Sequence, residues 1–176
     1  MSLPPNRKLL SEYKLGRVFV ETGSYRGDAI QQALEAGYEK IISIDIDQKN
    51  IDFCKRRFDP LGVIQLICGD SAECLWDAIR GINEPITFWL DSHFQLLEGE
   101  DPGDNPFPLL KELQQIARHP VKNHTILIDD ILILTHPDVN NVTRKNIEAA
   151  IRIINPEYKI SYVANPVVMN LLIAEP

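Results

Sequence analysis

The chain has 176 residues, 44% of them hydrophobic, enough for one sizeable core and too few for two ordinary domains, so a single domain over residues 1–176 is expected. A net charge of -7 argues against a broad nucleic-acid surface, which needs clustered Lys and Arg, and favours a small-molecule partner. No apolar run reaches the roughly 18–20 residues of a membrane span, and the opening MSLPPNRKLL lacks the charged-then-apolar layout of a signal peptide, so a cytoplasmic protein without membrane contact is expected. The three cysteines, Cys54, Cys68 and Cys74, have no metal-ligand spacing and fall in apolar patterns, as reduced structural thiols do.

In chain order, a short polar lead and a helix over NRKLLSEYKLG precede five apolar, β-compatible runs: RVFVET, KIISID, GVIQLICG, ITFWLD and HTILIDD. Between them lie residues at helical period: Ile30, Ala33 and Leu34; Ile51, Cys54 and Phe58; Ala72, Leu75, Trp76 and Ile79; Leu109, Leu110, Leu113 and Ile116. Strands that are apolar throughout and separated by helices predict a parallel sheet covered on both faces, a doubly wound α/β fold. After a further helix through Ile147, Ala150, Ile151 and Ile154, the runs YKISYVA and VVMNLLIA are separated only by Asn-Pro, too short for a parallel crossover. They predict an antiparallel hairpin and bring the sheet to seven strands. Trp76 and Trp89 fit apolar periods and are expected in the core. The long segment SHFQLLEGEDPGDNPFP follows the fourth strand, and its acidic run is either a solvated loop or a lid.

In open α/β sheets, ligands bind beyond the carboxyl ends of the strands. Five strand ends here carry carboxylates: Glu21, Asp45, Asp70, Asp91, and Asp129 with Asp130. Such residues often cap helices, but carboxylates inside strand ends repel one another unless a cation or cationic ligand joins them. The first loop, Glu21-Thr22-Gly23-Ser24-Tyr25-Arg26-Gly27, has Tyr25 where a dinucleotide fingerprint wants a glycine beside the pyrophosphate. A carboxylate before Gly23 suits an ammonium group instead, and S-adenosylmethionine carries one. Asp45 can accept both ribose hydroxyls, and Asp70 with Ser71 can reach the adenine edge.

The stretches VETGSYRGDA, IISIDID, CGDS, FWLDSHF and ILIDD resemble the successive motifs of class I S-adenosylmethionine-dependent methyltransferases, over Phe19 to about Asp130, and the C-terminal hairpin agrees with that Rossmann-like fold. Within the class they look most like the cation-dependent O-methyltransferases of the catechol type and of the macrolide and aminocoumarin sugar type. The resemblance implies that the loop with Gly23, Ser24, Tyr25 and Gly27 binds the amino-acid moiety, that Asp45 binds ribose and that Ser71 contacts adenine. It also implies a Mg²⁺ or Mn²⁺ held by Asp91, Asp129 and Asp130, or by Asp91 and Asp129 alone with Asp130 capping the next loop. Asp91 and His93 are the catalytic candidates. The catechol-type lysine is replaced by Phe94, and His93 stands one residue earlier, as a general base or substrate contact, a residue packing on cofactor or metal, or a structural side chain. His119, His124 and His136 are expected at the solvated surface. The function implied is methylation of a small-molecule hydroxyl. A non-catalytic S-adenosylmethionine-binding domain and a nicotinamide-dependent oxidoreductase are the alternatives, and the pattern leaves monomer and homo-oligomer both open. The fourth strand lacks the Asn/Asp-Pro-Pro-aromatic signature of nucleic-acid amino-group methylation.

Overall fold

The computed structural model describes residues 5–58, 61–93, 107–135, 142–165 and 168–176. Its elements are α1 (Arg7–Glu12), β1 (Val18–Thr22), α2 (Asp28–Glu35), β2 (Lys40–Asp45), α3 (Gln48–Phe58), β3 (Ile64–Cys68), α4 (Ser71–Ile79), β4 (Ile86–Leu90), α5 (Leu109–Ala117), β5 (Thr125–Ile128), α6 (Ile131–Leu134), α7 (Arg144–Ile154), β6 (Lys159–Asn165) and β7 (Val168–Glu175). The seven strands form one sheet in the order β3-β2-β1-β4-β5-β7-β6. The first five are parallel, and β7 pairs antiparallel with both β5 and β6. The predicted doubly wound sheet and its C-terminal hairpin are therefore both present, and the order reverses between β1 and β4, which opens the crevice.

Strand alternation divides the core in two. Val18, Val20, Ile42, Ile44, Phe88, Leu90, Ile126 and Ile128 point to one face, where they pack on Leu75 and Ile79 of α4, Leu109, Leu113 and Ile116 of α5, and Ile147, Ile151 and Ile154 of α7. Phe19, Ile41, Trp89, Leu127 and Ile173 point to the other, against Leu10 of α1, Ala29, Ile30 and Ala33 of α2, and Cys54 and Phe58 of α3. Burial on both faces is why these strands are apolar throughout. Trp89 is a core residue as expected, while Trp76 is partly buried beneath the Arg118 guanidinium, 4.3 Å from its ring.

Two expectations are corrected. His119 and His124 are fully buried at the amino-terminal ends of the central strands. The Ile86 amide donates to His124 Nδ1 at 3.1 Å, His124 Nε2 lies 3.1 Å from His119 Nδ1, and His119 Nε2 lies 3.2 Å from the Ile79 carbonyl. Two imidazoles, each offering one donor and one acceptor, complete this relay without water, and that removes the need for a solvated surface. Burial, together with the neighbouring His119, pushes the His124 pKa down to about 3. Cys54 is buried, but Cys68 is exposed, because β3 is an edge strand covered less completely than its neighbours; all three cysteines are free. No helix among the described residues is long and apolar enough to cross a membrane.

Candidate cofactor and metal site

The carboxyl ends of β2, β1, β4 and β5 lie side by side, and backbone hydrogen bonds carry the ladder past the strands: Gly23 N to Ile44 O, Asp91 N to Thr22 O, Asp129 N to Leu90 O and Gly69 N to Asp45 O. These bonds hold the acidic residues at one rim.

The loop between β1 and α2 is built by its backbone. Gly23 has φ +90, and a Cβ there would stand 2.5 Å from the Asp91 carbonyl oxygen; Gly27 has φ +76, and a Cβ there would stand 2.5 Å from Phe58 Cε2. Both positions require the missing side chain. Tyr25, which stands where a dinucleotide fingerprint has a glycine, also has a positive φ of 44, a conformation that costs a non-glycine residue roughly 1–2 kcal/mol. In that conformation its amide donates to Asp45 Oδ2 at 2.8 Å. Asp45 Oδ1 accepts from Asp47 N at 2.8 Å, and Asn50 Nδ2 reaches both oxygens. The carboxylate is thus oriented before any ligand arrives. Asp70 accepts from Ala72 N at 2.9 Å as the N-cap of α4, so the capping role weighed from sequence is real, and Ser71 opens that helix.

Glu21 departs from expectation. It is fully buried beneath the loop rather than open to the cleft, and a hydrogen-bonded line runs from Ser24 Oγ to Ser43 Oγ to Glu21 Oε1, each step 2.5 Å. Glu21 Oε2 has no hydrogen-bond partner among the described residues. Burial, only partly offset by Ser43, pushes its pKa up to about 8.

At the ends of β4 and β5 the structure brings together Asp91, His93 and Asp130, with one potential ligand atom from each lying within 4.8 Å of the others. His93 Nε2 is 2.9 Å from Asp130 Oδ2 and 3.3 Å from Asp91 Oδ1. Asp129, expected in this set, lies outside it and is fully buried. Both aspartates follow the last residue of β5, Ile128, and the backbone turn between them separates their side chains. Asp130, at φ 53 and ψ 35, takes a left-handed turn after β5 and swings its carboxylate to His93. Asp130 is the N-cap residue of α6, but its side chain makes no cap hydrogen bond and reaches His93 instead. Burial alone would lower the His93 pKa, but the hydrogen bonds and charges of Asp130 and Asp91 outweigh it and raise it to about 10. The two aspartates thus favour the protonated ring. Phe94, His136 and the acidic run of the long segment lie outside the described residues.

The three groups fit a divalent ion. With metal–ligand bonds of about 2.1 Å, neighbouring ligands of an octahedron stand about 3 Å apart, close to the two separations seen here. Asp130 is 2% exposed and its Oδ1 has no partner among the described residues, an orphaned acceptor that a cation would satisfy. A ligand imidazole makes the set less purely oxygen-based than the sequence suggested, which moves preference from Mg²⁺ towards Mn²⁺.

No protein-family model and no curated protein matches the sequence. Solved structures do match. The chain is similar to an O-methyltransferase from Bacillus cereus in complex with S-adenosylhomocysteine (TM-score 0.66, 11% identity, 96% of this chain and 77% of that one). It is similar also to the S-adenosylhomocysteine-bound methyltransferase PaMTH1 from Podospora anserina (0.59, 15%, 90% and 71%) and to a candidate rRNA methylase from Clostridium thermocellum (0.63, 13%, 96% and 94%). The chain has the class I methyltransferase fold. At these identities the likeness concerns architecture, and residue roles within the methyltransferase fold rest on the geometry above.

Three residues of the site were not anticipated. Ser43 relays the loop to Glu21, and its signal was a lone polar residue inside the apolar run KIISID. Ser92 and Glu112 hydrogen-bond at 2.7 Å, and Glu112 stands on the apolar stripe of α5 between Leu109 and Leu113.

Proposed function

We propose that this protein is an S-adenosylmethionine-dependent methyltransferase acting on a hydroxyl of a small-molecule acceptor, with a divalent cation, Mn²⁺ before Mg²⁺, held by Asp91, Asp130 and His93. The observation that carries it is the close approach of Gly23 to the backbone of Asp91. The loop suited to a methionine moiety is thereby seated on the strand end that bears the carboxylates, so donor and acceptor sites share a wall. Asp45, oriented by Tyr25 N and Asp47 N, is the ribose acceptor. Ser24 faces the amino-acid end, with Glu21 acting on it through Ser43. Asp70 and Ser71 form the adenine end. When bound, S-adenosylmethionine supplies an electrophilic methyl group, and a divalent cation lowers the pKa of an acceptor hydroxyl and aligns it. His93 would ligate through a deprotonated Nε2, in place of its contacts with the two aspartates.

A second reading is favoured by that same His93 contact, which already offsets part of the charge of Asp91 and Asp130: a non-catalytic S-adenosylmethionine-binding domain that needs no metal. The nicotinamide reading is disfavoured by Tyr25 in the phosphate-approach position. Calorimetry with S-adenosylhomocysteine and NAD, followed by Mn²⁺ titration monitored by electron paramagnetic resonance on wild type, Asp91→Asn and Asp130→Asn, separates them. Saturable Mn²⁺ binding lost in both variants supports the metal reading. No saturable site at millimolar Mn²⁺ removes it, and turnover on a panel of hydroxylated acceptors then decides between enzyme and binding domain. NAD binding without S-adenosylhomocysteine binding overturns both methyl-donor readings.

A further inference from the structure

Helix α5 carries a carboxylate into the protein interior. Glu112 is 1% exposed and shares its face with the core residues Leu109, Leu113 and Ile116. Its Oε1 accepts from Ser71 Oγ at 2.5 Å and from Ser92 Oγ at 2.7 Å. One turn on, Gln115 is 7% exposed; its Oε1 accepts from Trp76 N at 2.5 Å, and its Nε2 donates to Ser71 O at 3.1 Å and to Ala72 O. Ser71 follows β3 and Ser92 follows β4, strands separated in the sheet by β2 and β1. One side chain therefore ties together two strand ends on opposite sides of the crevice.

Stability alone does not account for this choice. Burial pushes the Glu112 pKa up, and the hydroxyls of Ser71, Ser92 and Thr22 offset it only in part. Leucine would continue the stripe without that cost. A buried acid kept where an aliphatic residue fits marks a position at which function and stability pull apart. Both serines that it holds border the ligand rim, and Ser71 lies at the end expected to meet adenine.

We propose that Glu112 is a positioning residue for the nucleoside end of the cofactor site: by holding Ser71 and Ser92 to one carboxylate oxygen, it presets the spacing between the β3–α4 turn and the end of β4. This rests on the reading that the protein binds S-adenosylmethionine. Glu112→Leu and Glu112→Gln in the full chain test it, by urea denaturation without ligand and by calorimetry with S-adenosylhomocysteine and its hypoxanthine counterpart, S-inosylhomocysteine. Glu112→Leu, which leaves the two serine hydroxyls without their acceptor, should still unfold cooperatively without ligand, yet bind S-adenosylhomocysteine at least tenfold more weakly, with a narrowed preference over the hypoxanthine compound. Glu112→Gln, which retains an acceptor for the serine hydroxyls, should recover most of the affinity. A Glu112→Leu protein that loses stability but binds within twofold of wild type shows a merely structural carboxylate and overturns the proposal. Should that variant fail to fold, Ser92→Ala decides: a loss of threefold or more in affinity supports the proposal, and unchanged affinity overturns it. If wild type binds no S-adenosylhomocysteine, the underlying reading fails and the positioning role with it; binding by wild type with an indifferent Glu112→Leu sinks the positioning role alone.

Discussion

Asp45 and Glu21 are both carboxylates at strand ends, and their surroundings give them opposite properties. Asp45 receives two backbone amides and the Asn50 amide, which fix the orientation of its carboxylate. Replacing it with alanine should weaken S-adenosylhomocysteine binding by roughly 2–4 kcal/mol, because a hydrogen bond to a charged group contributes about 1.5–3 kcal/mol and water replaces part of the loss. Calorimetry on Asp45→Ala reads this directly, and unchanged affinity would remove Asp45 from the site. Glu21 has one hydroxyl donor and no access to water, and its pKa is pushed up to about 8. The folded state then binds the extra proton between the unperturbed 4.5 and about 8, and across that window stability falls as pH rises. Glu21→Gln keeps the acceptor for Ser43 and cannot ionise. It should match wild type near pH 4.5 and exceed it by several kcal/mol above pH 8, and parallel urea titrations at the two pH values would expose a Glu21 that is instead ionised in the fold.

Among the elements, α7 shows how a helix start is specified locally. Thr143 Oγ1 accepts from Asn146 N at 3.2 Å, and Asn146 Oδ1 accepts from Thr143 N at 2.9 Å, a reciprocal box that satisfies two amides at once. Ile147, Ile151 and Ile154 then reach the core as one stripe. Thr143→Ala should cost about 1 kcal/mol and speed amide exchange over the first turn of α7, leaving the α2 loop unaffected. An unchanged denaturation midpoint would mean that core packing alone sets this helix. The short helix α6 was not anticipated, because ILIL after Asp129-Asp130 continues an apolar strand run, and only the left-handed turn at Asp130 breaks it.

For the molecule as a whole, the two ends of the sheet bias stability in opposite directions with pH. At the amino end, His124 is held neutral, its pKa about 3 against an unperturbed 6.5. Its contribution is complete above pH 6.5 and is lost as pH falls towards 3, because the unfolded chain takes up the proton first. At the carboxyl end, Glu21 lowers stability as pH rises from 4.5 to about 8. The slopes oppose each other between about 4.5 and 6.5, so maximum stability should lie there, on the acid side of neutrality. Urea denaturation from pH 4 to 9 measures it; a maximum at pH 8 or above would contradict the Glu21 argument, and undiminished stability down to pH 4 the His124 argument.

The strand runs, the alternation with helices and the hairpin were legible in the chain itself. A strand buried on both faces must be apolar throughout, and an Asn-Pro link cannot span a crossover. The rim of carboxylates was legible too, since its members follow strand ends in order. Which of them act together was not. Asp130, not Asp129, is brought to Asp91 and His93 through one left-handed backbone conformation, Glu21 is sealed under a loop by Ser43, and His93 joins two aspartates that follow different strands. His119 and His124 become interior residues only because each supplies the other's missing hydrogen-bond partner. Glu112 acquires meaning only when β3 and β4, with β2 and β1 between them, present Ser71 and Ser92 to the same oxygen. Periodicity is local and survives in sequence, whereas hydrogen-bond partners and burial belong to residues far apart in the chain, and only tertiary structure brings them within reach.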